Sequence, residues 1–163
     1  DNQLIDNSQY GLYFFKGSDA PTEPGDGRPK LNQFLRNHVE GSGIYGIKLK
    51  GADDNLFQEN ELIDNGSTLL IEAAVRNQFE NNLIQDNDAV GITLSAATDH
   101  VINNNRIISN GDTGVYLKNS SHRAQITNNH IEDHRKFGIR ITGSTDVVTT
   151  GNTFVNNGIN IDS

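Results

Sequence analysis

Apolar residues recur along this chain as pairs two positions apart: Leu12/Phe14, Ile47/Leu49, Ile92/Leu94, Val115/Leu117 and Ile139/Ile141. Alternation with period two marks a strand that turns one face inward. A glycine stands directly before each pair, at Gly11, Gly46, Gly91, Gly114 and Gly138. The preceding stretch is keyed to an asparagine, at Asn2, Asn37, Asn60, Asn82, Asn105, Asn129 and Asn152, with steps of 22 to 24 residues after a longer first one. Three residues before it stand Phe34, Phe57, Phe79, Ile102, Ile126 and Thr149. Two after it stand Leu4, Val39, Leu62, Ile84, Ile107, Ile131 and Phe154, and five after it Asn7, Ser42, Asn65, Asn87, Asn110, His134 and Asn157. The third line departs from the rule, with Leu69 read at the glycine position and Glu72 where an apolar residue is expected. The last line is shorter and ends on Ile159 and Ile161.

Three short strands per roughly 23 residues, with no helical stretch, predict an all-β fold: a single-stranded, right-handed parallel β-helix of about seven coils. At an inter-strand spacing of about 4.8 Å the coils stack into a rod about 30 Å long. Columns of asparagine suit such a stack, because in-register amides hydrogen-bond from coil to coil and asparagine tolerates the left-handed backbone of a corner. Asn65-Gly66, Asn110-Gly111 and Asn157-Gly158 would be hairpin turns in isolation, but the repeat overrides that reading. The whole of 1–163 forms one domain, with a Pro/Gly-rich surface loop inserted at 16–30 that could overhang a groove. Asn2 already sits in the ladder and no amphipathic helix caps either end, so the chain is expected to be a portion of a larger β-helix, or to be covered by a partner chain.

Composition narrows the partners. Hydrophobic residues make up 34% of the chain, which fits a thin core drawn out along an axis. There is no cysteine, so disulfides and thiolate metal sites are excluded. No apolar run approaches a membrane span. A net charge of −8 argues against nucleic acid as partner but leaves room for a local basic stripe.

The residues that vary point outward after each glycine. One outward column reads Tyr13, Lys48, Ile71, Thr93, Tyr116 and Arg140; the next reads Phe15, Lys50, Ala73, Ser95, Lys118 and Thr142. This face gathers cations and aromatic rings and no carboxylate, in a chain with 21 acidic residues. A row of cations spaced by coils fits an extended polyanion, since a sugar unit of about 5 Å is close to the inter-strand spacing. Tyr13, Phe15, Lys48 and Lys50 are therefore candidate substrate-binding residues, and Tyr116, Lys118 and Arg140 candidate catalytic ones. His122, in the turn after the Lys118 strand, could lean over the groove. His134 and His100 replace corner asparagines, and His38 and His130 share an outward column on another face. No histidine pair has metal-ligand spacing. Asp54, Asp99 and Asp146, read in one column with Asn77 and His122, are expected to cap turns. Asn65-Gly66-Ser67 and Asn119-Ser120-Ser121 match the glycosylation sequon.

The repeats resemble the short β-helix repeats of the pectin-lyase-like superfamily, over nearly the whole chain. Within it they look most like mannuronan C5-epimerases, in which the strand after the glycine carries Tyr-Gly-Phe-Asp-Pro-His. "YGLYFF" (10–15) and "YGIKLK" (45–50) match the Tyr-Gly at Tyr10-Gly11 and Tyr45-Gly46. Tyr13 or Lys48 stands at the Asp position and Phe15 or Lys50 at the His position, so those catalytic roles do not carry over. A second resemblance is to β-helix lyases that use a Lys base and an Arg one coil apart, for which Lys118 and Arg140 are a loose match. The resemblances imply an alginate-like polyuronate as partner and action outside the cytoplasm, secreted or periplasmic. They imply no cofactor, with calcium a candidate because such lyases often use it, although the calcium-binding nonapeptide repeat is absent. The chemistry would be removal of the C5 proton by Tyr116 or Lys118, with Arg140, Lys48 and Lys50 neutralising the carboxylate. The rival reading is a non-catalytic carbohydrate-binding or tail-fibre module.

Overall fold

The computed structural model describes residues 1–17 and 27–163. Among these, every regular element is a strand, and all named strand pairs are parallel. The chain winds through three sheets in turn. The first holds β1 (Gln3–Ile5), β4 (His38–Glu40), β7 (Glu61–Ile63), β10 (Leu83–Gln85), β13 (Arg106–Ile108), β16 (His130–Glu132) and β18 (Thr153–Val155), in that spatial order. The second holds the longer strands β2 (Tyr10–Phe15), β5 (Tyr45–Lys50), β8 (Ser67–Glu72), β11 (Val90–Ser95), β14 (Thr113–Lys118), β17 (Phe137–Ile141) and β19 (Ile159–Asp162). The third holds β3 (Gln33–Leu35), β6 (Leu56–Gln58), β9 (Gln78–Glu80), β12 (Val101–Asn103) and β15 (Gln125–Thr127). The result is a parallel solenoid of about six turns, close to the expected seven. The surface loop expected at 16–30 lies largely outside the described residues.

Each sheet turns one row of side chains inward, and successive coils stack like on like. Phe34 and Phe57 stack with centroids 4.7 Å apart, and Phe57 and Phe79 at 5.0 Å. Ile84, Ile92, Leu94, Ile107, Val115 and Leu117 are fully buried. Removing each such side chain from water contributes about 1.5–3 kcal/mol. The glycine at the second position of β14 is required by close approach: a Cβ on Gly114 would sit 2.6 Å from the Gly138 carbonyl oxygen.

The corners are built from polar ladders with a direction. Asn60 Nδ2 donates to Asn82 Oδ1, Asn82 to Asn105 and Asn105 to Asn129, at 2.9, 2.9 and 3.0 Å. The backbone N–H of each donates to the same oxygen. A second ladder runs Asn65, Asn87, Asn110, His134 and Asn157, and a third Asn55, Asn77 and His100. The structural role expected of the asparagines is what the structure shows. The left-handed residue, however, is the one before each ladder position: Glu59, Asn81, Asn104 and Asn128 have φ of 56–58°. The ladder asparagines are thus inward-facing hydrogen-bond hubs, and the corner strain falls on their neighbours.

One expected column is corrected. Asp54, Asp99 and Asp146 stand with Arg76 and Arg123, not with Asn77 and His122, which lie one position to either side; all five are left-handed. Acid and base alternate up the corner. Arg76 Nε meets Asp54 at 2.7 Å and Arg123 Nε meets Asp99 at 2.7 Å. The Arg123 bond holds the Asp99 carboxyl below its usual range. The carboxylates of Asp54 and Asp99 are engaged by guanidinium groups.

Candidate functional site

The outer face of the second sheet carries the residues singled out by sequence. Register fixes its columns: Tyr13, Lys48, Leu70, Thr93, Tyr116, Arg140 and Asp162 in one, and Phe15, Lys50, Glu72, Ser95 and Lys118 in the next. Two positions differ from the sequence reading. In the third coil Ile71 faces inward and is fully buried, and Ala73 lies beyond the strand; Leu70 and Glu72 take their places. The coil from Tyr45 to Ser67 is one residue shorter than the frame, so Thr68, not Leu69, occupies the glycine position. A one-residue slip exchanges the two faces of a strand. The face therefore does carry carboxylates, Glu72 and Asp162.

Lys48, Lys50, Tyr116, Lys118 and Arg140 share this single face, in two groups. At β2 and β5, Tyr10 and Tyr45 stack with ring planes 2° apart and centroids at 6.3 Å. Lys48 Nζ lies 5.6, 5.2 and 5.9 Å from the ring centroids of Tyr10, Tyr13 and Tyr45. Tyr13 and Phe15 pack at 5.1 Å, and Phe15 is 55% exposed. Beside them opens a groove of about 310 Å³ lined by Tyr13, Phe15, Lys50 and Arg28. Arg28 is bound to Asp53 and to the Ala73 carbonyl, at 2.8 Å for the latter. Burial pushes the Asp53 carboxyl up, but the Arg28 bond and the Val75 N–H outweigh it and leave it below the usual range.

At β14 and β17, Tyr116 is flanked by two cations, Lys118 Nζ and Arg140 Cζ, each 5.5 Å from its ring centroid. Arg140 also covers the Phe137 ring at 4.7 Å and reaches Asp162 at 3.3 Å. The Thr142 hydroxyl lies 3.3 Å from Tyr116 Oη. A cation over a ring face is attracted by the ring quadrupole, by about 0.5–1 kcal/mol at an exposed site. Lys48, Lys50 and Lys118 have no carboxylate within ion-pair reach among the described residues, whereas Arg140 does. His122 is not brought to this group: its Nδ1 accepts the Thr145 N–H at 3.0 Å in the following turn.

Tyr10, Tyr45 and Phe137 were not assigned to this face by sequence reasoning. The period-two pattern hid them, because they have the parity of the inward Leu12, Ile47 and Ile139; the alternation breaks at each glycine, and their rings lie against Tyr13, Lys48 and Arg140 on the outer face. On the first sheet, His38 and His130 do share an outward column, and each bonds the glutamate two residues on, at 2.7 Å. His38 also meets Glu61 at 3.0 Å, and the bonds to Glu40 and Glu61 raise its pKa. Among the described residues, no three His, Asp or Glu side chains gather as metal ligands would, and no helix is long and apolar enough to cross a membrane.

The fold is shared with several solved enzymes. It is similar to the periplasmic alginate epimerase AlgG at TM-score 0.77 and 17% identity, over 98% of this chain and 42% of that one. It is similar to the catalytic domain of a GH87 alpha-1,3-glucanase solved with nigerose, at TM-score 0.67 and 14% identity, over 96% of this chain and 34% of that one. The enzymatically active domain of bacteriophage CBA120 tailspike protein 2 matches at TM-score 0.68 and 11% identity, over 99% of this chain and 33% of that one. This chain thus spans less than half the length of each. At these identities the likeness is one of fold. No curated protein matches the sequence. The family described as the right handed beta helix region matches residues 28–163, and the chain belongs to that family.

Proposed function

We propose that this chain binds an acidic polysaccharide, alginate-like polyuronate first among them, along the outer face of its second sheet, and acts on it by C5-proton chemistry outside the cytoplasm. The observation that carries this reading is one exposed face bearing Lys48, Lys50, Lys118 and Arg140 together with four tyrosines, Phe15 and Phe137, in a chain of net charge −8. Rings of this kind offer flat apolar surface to pyranose faces, and the ammonium groups offer charge to carboxylates. The alginate epimerase, glucanase and tailspike neighbours lend support through their fold.

The reacting centre is Tyr116 with Lys118 and Arg140. Arg140 neutralises the uronate carboxylate, which lowers the cost of negative charge as the C5 proton leaves. Tyr116 or Lys118, in its deprotonated form, takes that proton. The electron pair passes into the carboxylate as an enolate-like anion. Expulsion of the 4-linked sugar oxygen, which takes up a proton, then gives a C4–C5 double bond; reprotonation at C5 from the other face gives the epimer. The corner carboxylates Asp54 and Asp99 are engaged by Arg76 and Arg123 and so are not offered to calcium.

A second reading, binding without chemistry, is favoured by the residues at the epimerase Asp and His positions, which here are Tyr13 or Lys48 and Phe15 or Lys50. Incubation with polymannuronate, polyguluronate and pectate separates the two. Ultraviolet absorbance detects the unsaturated product, proton NMR detects epimers, and retardation in a polysaccharide gel detects binding alone. Turnover that survives both Tyr116→Phe and Lys118→Ala removes the catalytic assignment.

A further inference from the structure

The basic face is not continuous, and the geometry points to two separate subsites with a charge-averse stretch between them. This rests on the reading of the face as a polyuronate binder. The first subsite is Lys48 and Lys50 with the β2–β5 rings; the second is Lys118 and Arg140 with Tyr116. Between β5 and β14 lie β8 and β11, whose outward residues are Leu70, Glu72, Thr93 and Ser95. None is a cation, and Glu72 stands in register with Lys50 without forming an ion pair to it among the described residues. Three inter-strand steps separate β5 from β14, about 14 Å.

A ligand with a carboxylate on every sugar meets this face in one favourable way. It presents carboxylates to the protein at positions about three sugars apart and turns the intervening ones away from Glu72. Thr93 and Ser95 are short side chains, so the middle of the face stands lower than the aromatic clusters on either side and a ring can bridge it. The ligand is then an oligouronate of at least about four sugars, at about 5 Å each against the inter-strand spacing. Shorter pieces occupy one subsite at a time. Glu72 is a specificity-determining residue, penalising chains whose carboxylates all point inward.

Size-defined oligouronates from two to eight sugars, titrated calorimetrically at fixed salt against the protein, test this. Affinity should step up about 100-fold once one molecule reaches both subsites, as joining two sites through one ligand does. The step should vanish in Lys48→Ala/Lys50→Ala and, independently, in Lys118→Ala, while weak binding of the shortest pieces persists. Glu72→Gln should strengthen binding of oligomers that span both subsites about threefold, the size of one charge contact at about 6 Å in water. Affinity that climbs evenly with each added sugar, or a step that survives loss of either cluster, overturns the two-subsite arrangement alone. Failure of every oligomer to bind the wild-type protein overturns the polyuronate reading beneath it.

Discussion

Acid should weaken this fold through His100 by an amount the structure allows to be worked out. His100 is fully buried, and both ring nitrogens are committed: Nδ1 accepts the Asn77 N–H at 3.0 Å, and Nε2 donates to the Ala74 carbonyl at 3.1 Å. A second proton on Nδ1 would face a donor. Burial accordingly pushes the imidazole down from 6.5 to about 4, with the two backbone carbonyls opposing only in part. In the unfolded chain the ring binds its proton near pH 6.5. Between that pH and about 4 the unfolded state therefore holds more protons, and stability rises with pH. The contribution is fully present above about pH 6.5 and is lost as pH falls toward 4. At about 1.4 kcal/mol per pH unit, the gap amounts to about 3 kcal/mol. Urea unfolding of the wild-type protein and of His100→Asn, from pH 7.5 to 4, isolates this residue, because all other groups titrate in both. Asparagine is the residue this column uses at Asn55 and Asn77. The variant should gain about 3 kcal/mol on the wild type over that range. Two curves that run parallel would refute the argument, as would a ring NMR titration placing His100 near 6.5.

Other consequences follow from the same contacts. His134 has the same sign, since burial lowers its pKa between Asn110 and Asn157, so His134→Asn should also flatten the acid limb of the stability curve. His38 is opposite: Glu40 and Glu61 raise it, so its contribution is complete below pH 6.5 and fades as pH rises through the higher folded value; its ring should titrate above free imidazole by NMR. Asn105→Leu would strand the N–H groups of Asn82 and the carbonyl of Phe79, costing about 3 kcal/mol or more in urea unfolding. Gly114→Ala forces a Cβ against backbone at 2.6 Å and should cost about 1–3 kcal/mol by the same assay.

The sequence carried the architecture because the constraint that builds it is written in every coil. An inward asparagine must repeat for its amide to find a partner, so Asn60, Asn82 and Asn105 are visible as a column before any coordinates exist. The third coil shows where this reading stops. Its strand reads Ser-Thr-Leu-Leu-Ile-Glu, and three consecutive apolar residues give a period-two pattern no phase. The marker glycine is replaced by Thr68, and the coil is a residue short, so nothing local distinguished Leu69–Ile71 inward from Leu70–Glu72 inward. Stacking decides it: Leu69 must meet Ile47 below and Ile92 above. The arginines opposite Asp54 and Asp99 were hidden for a related reason. Corner residues have no apolar pattern to fix their register, and a one-position error moved Arg76 and Arg123 out of the column. The site suffered more than the fold, because a phase error leaves the coil count unchanged but replaces Ala73 with Glu72 in the middle of the candidate face.

That asymmetry bears on how such a fold can acquire activity. In a solenoid each coil contacts its neighbours and little else, so stability is close to a sum of coil and interface contributions. Here those reside in the ladders and inward rows, whereas Lys48, Lys118 and Arg140 stand on a face that supports no core. Substitutions at these cations should leave the unfolding midpoint nearly fixed, as surface changes do, while altering what the face binds. Thr142 and Asp162 occupy an intermediate position, touching Tyr116 and Arg140 from the neighbouring strand register. Loss of either frees a side chain of the second cluster without disturbing a ladder. A change in ligand affinity at Asp162→Asn with an unchanged midpoint would therefore place that carboxylate in the orientation of Arg140, and an equal loss of both would place it in the stability of the coil.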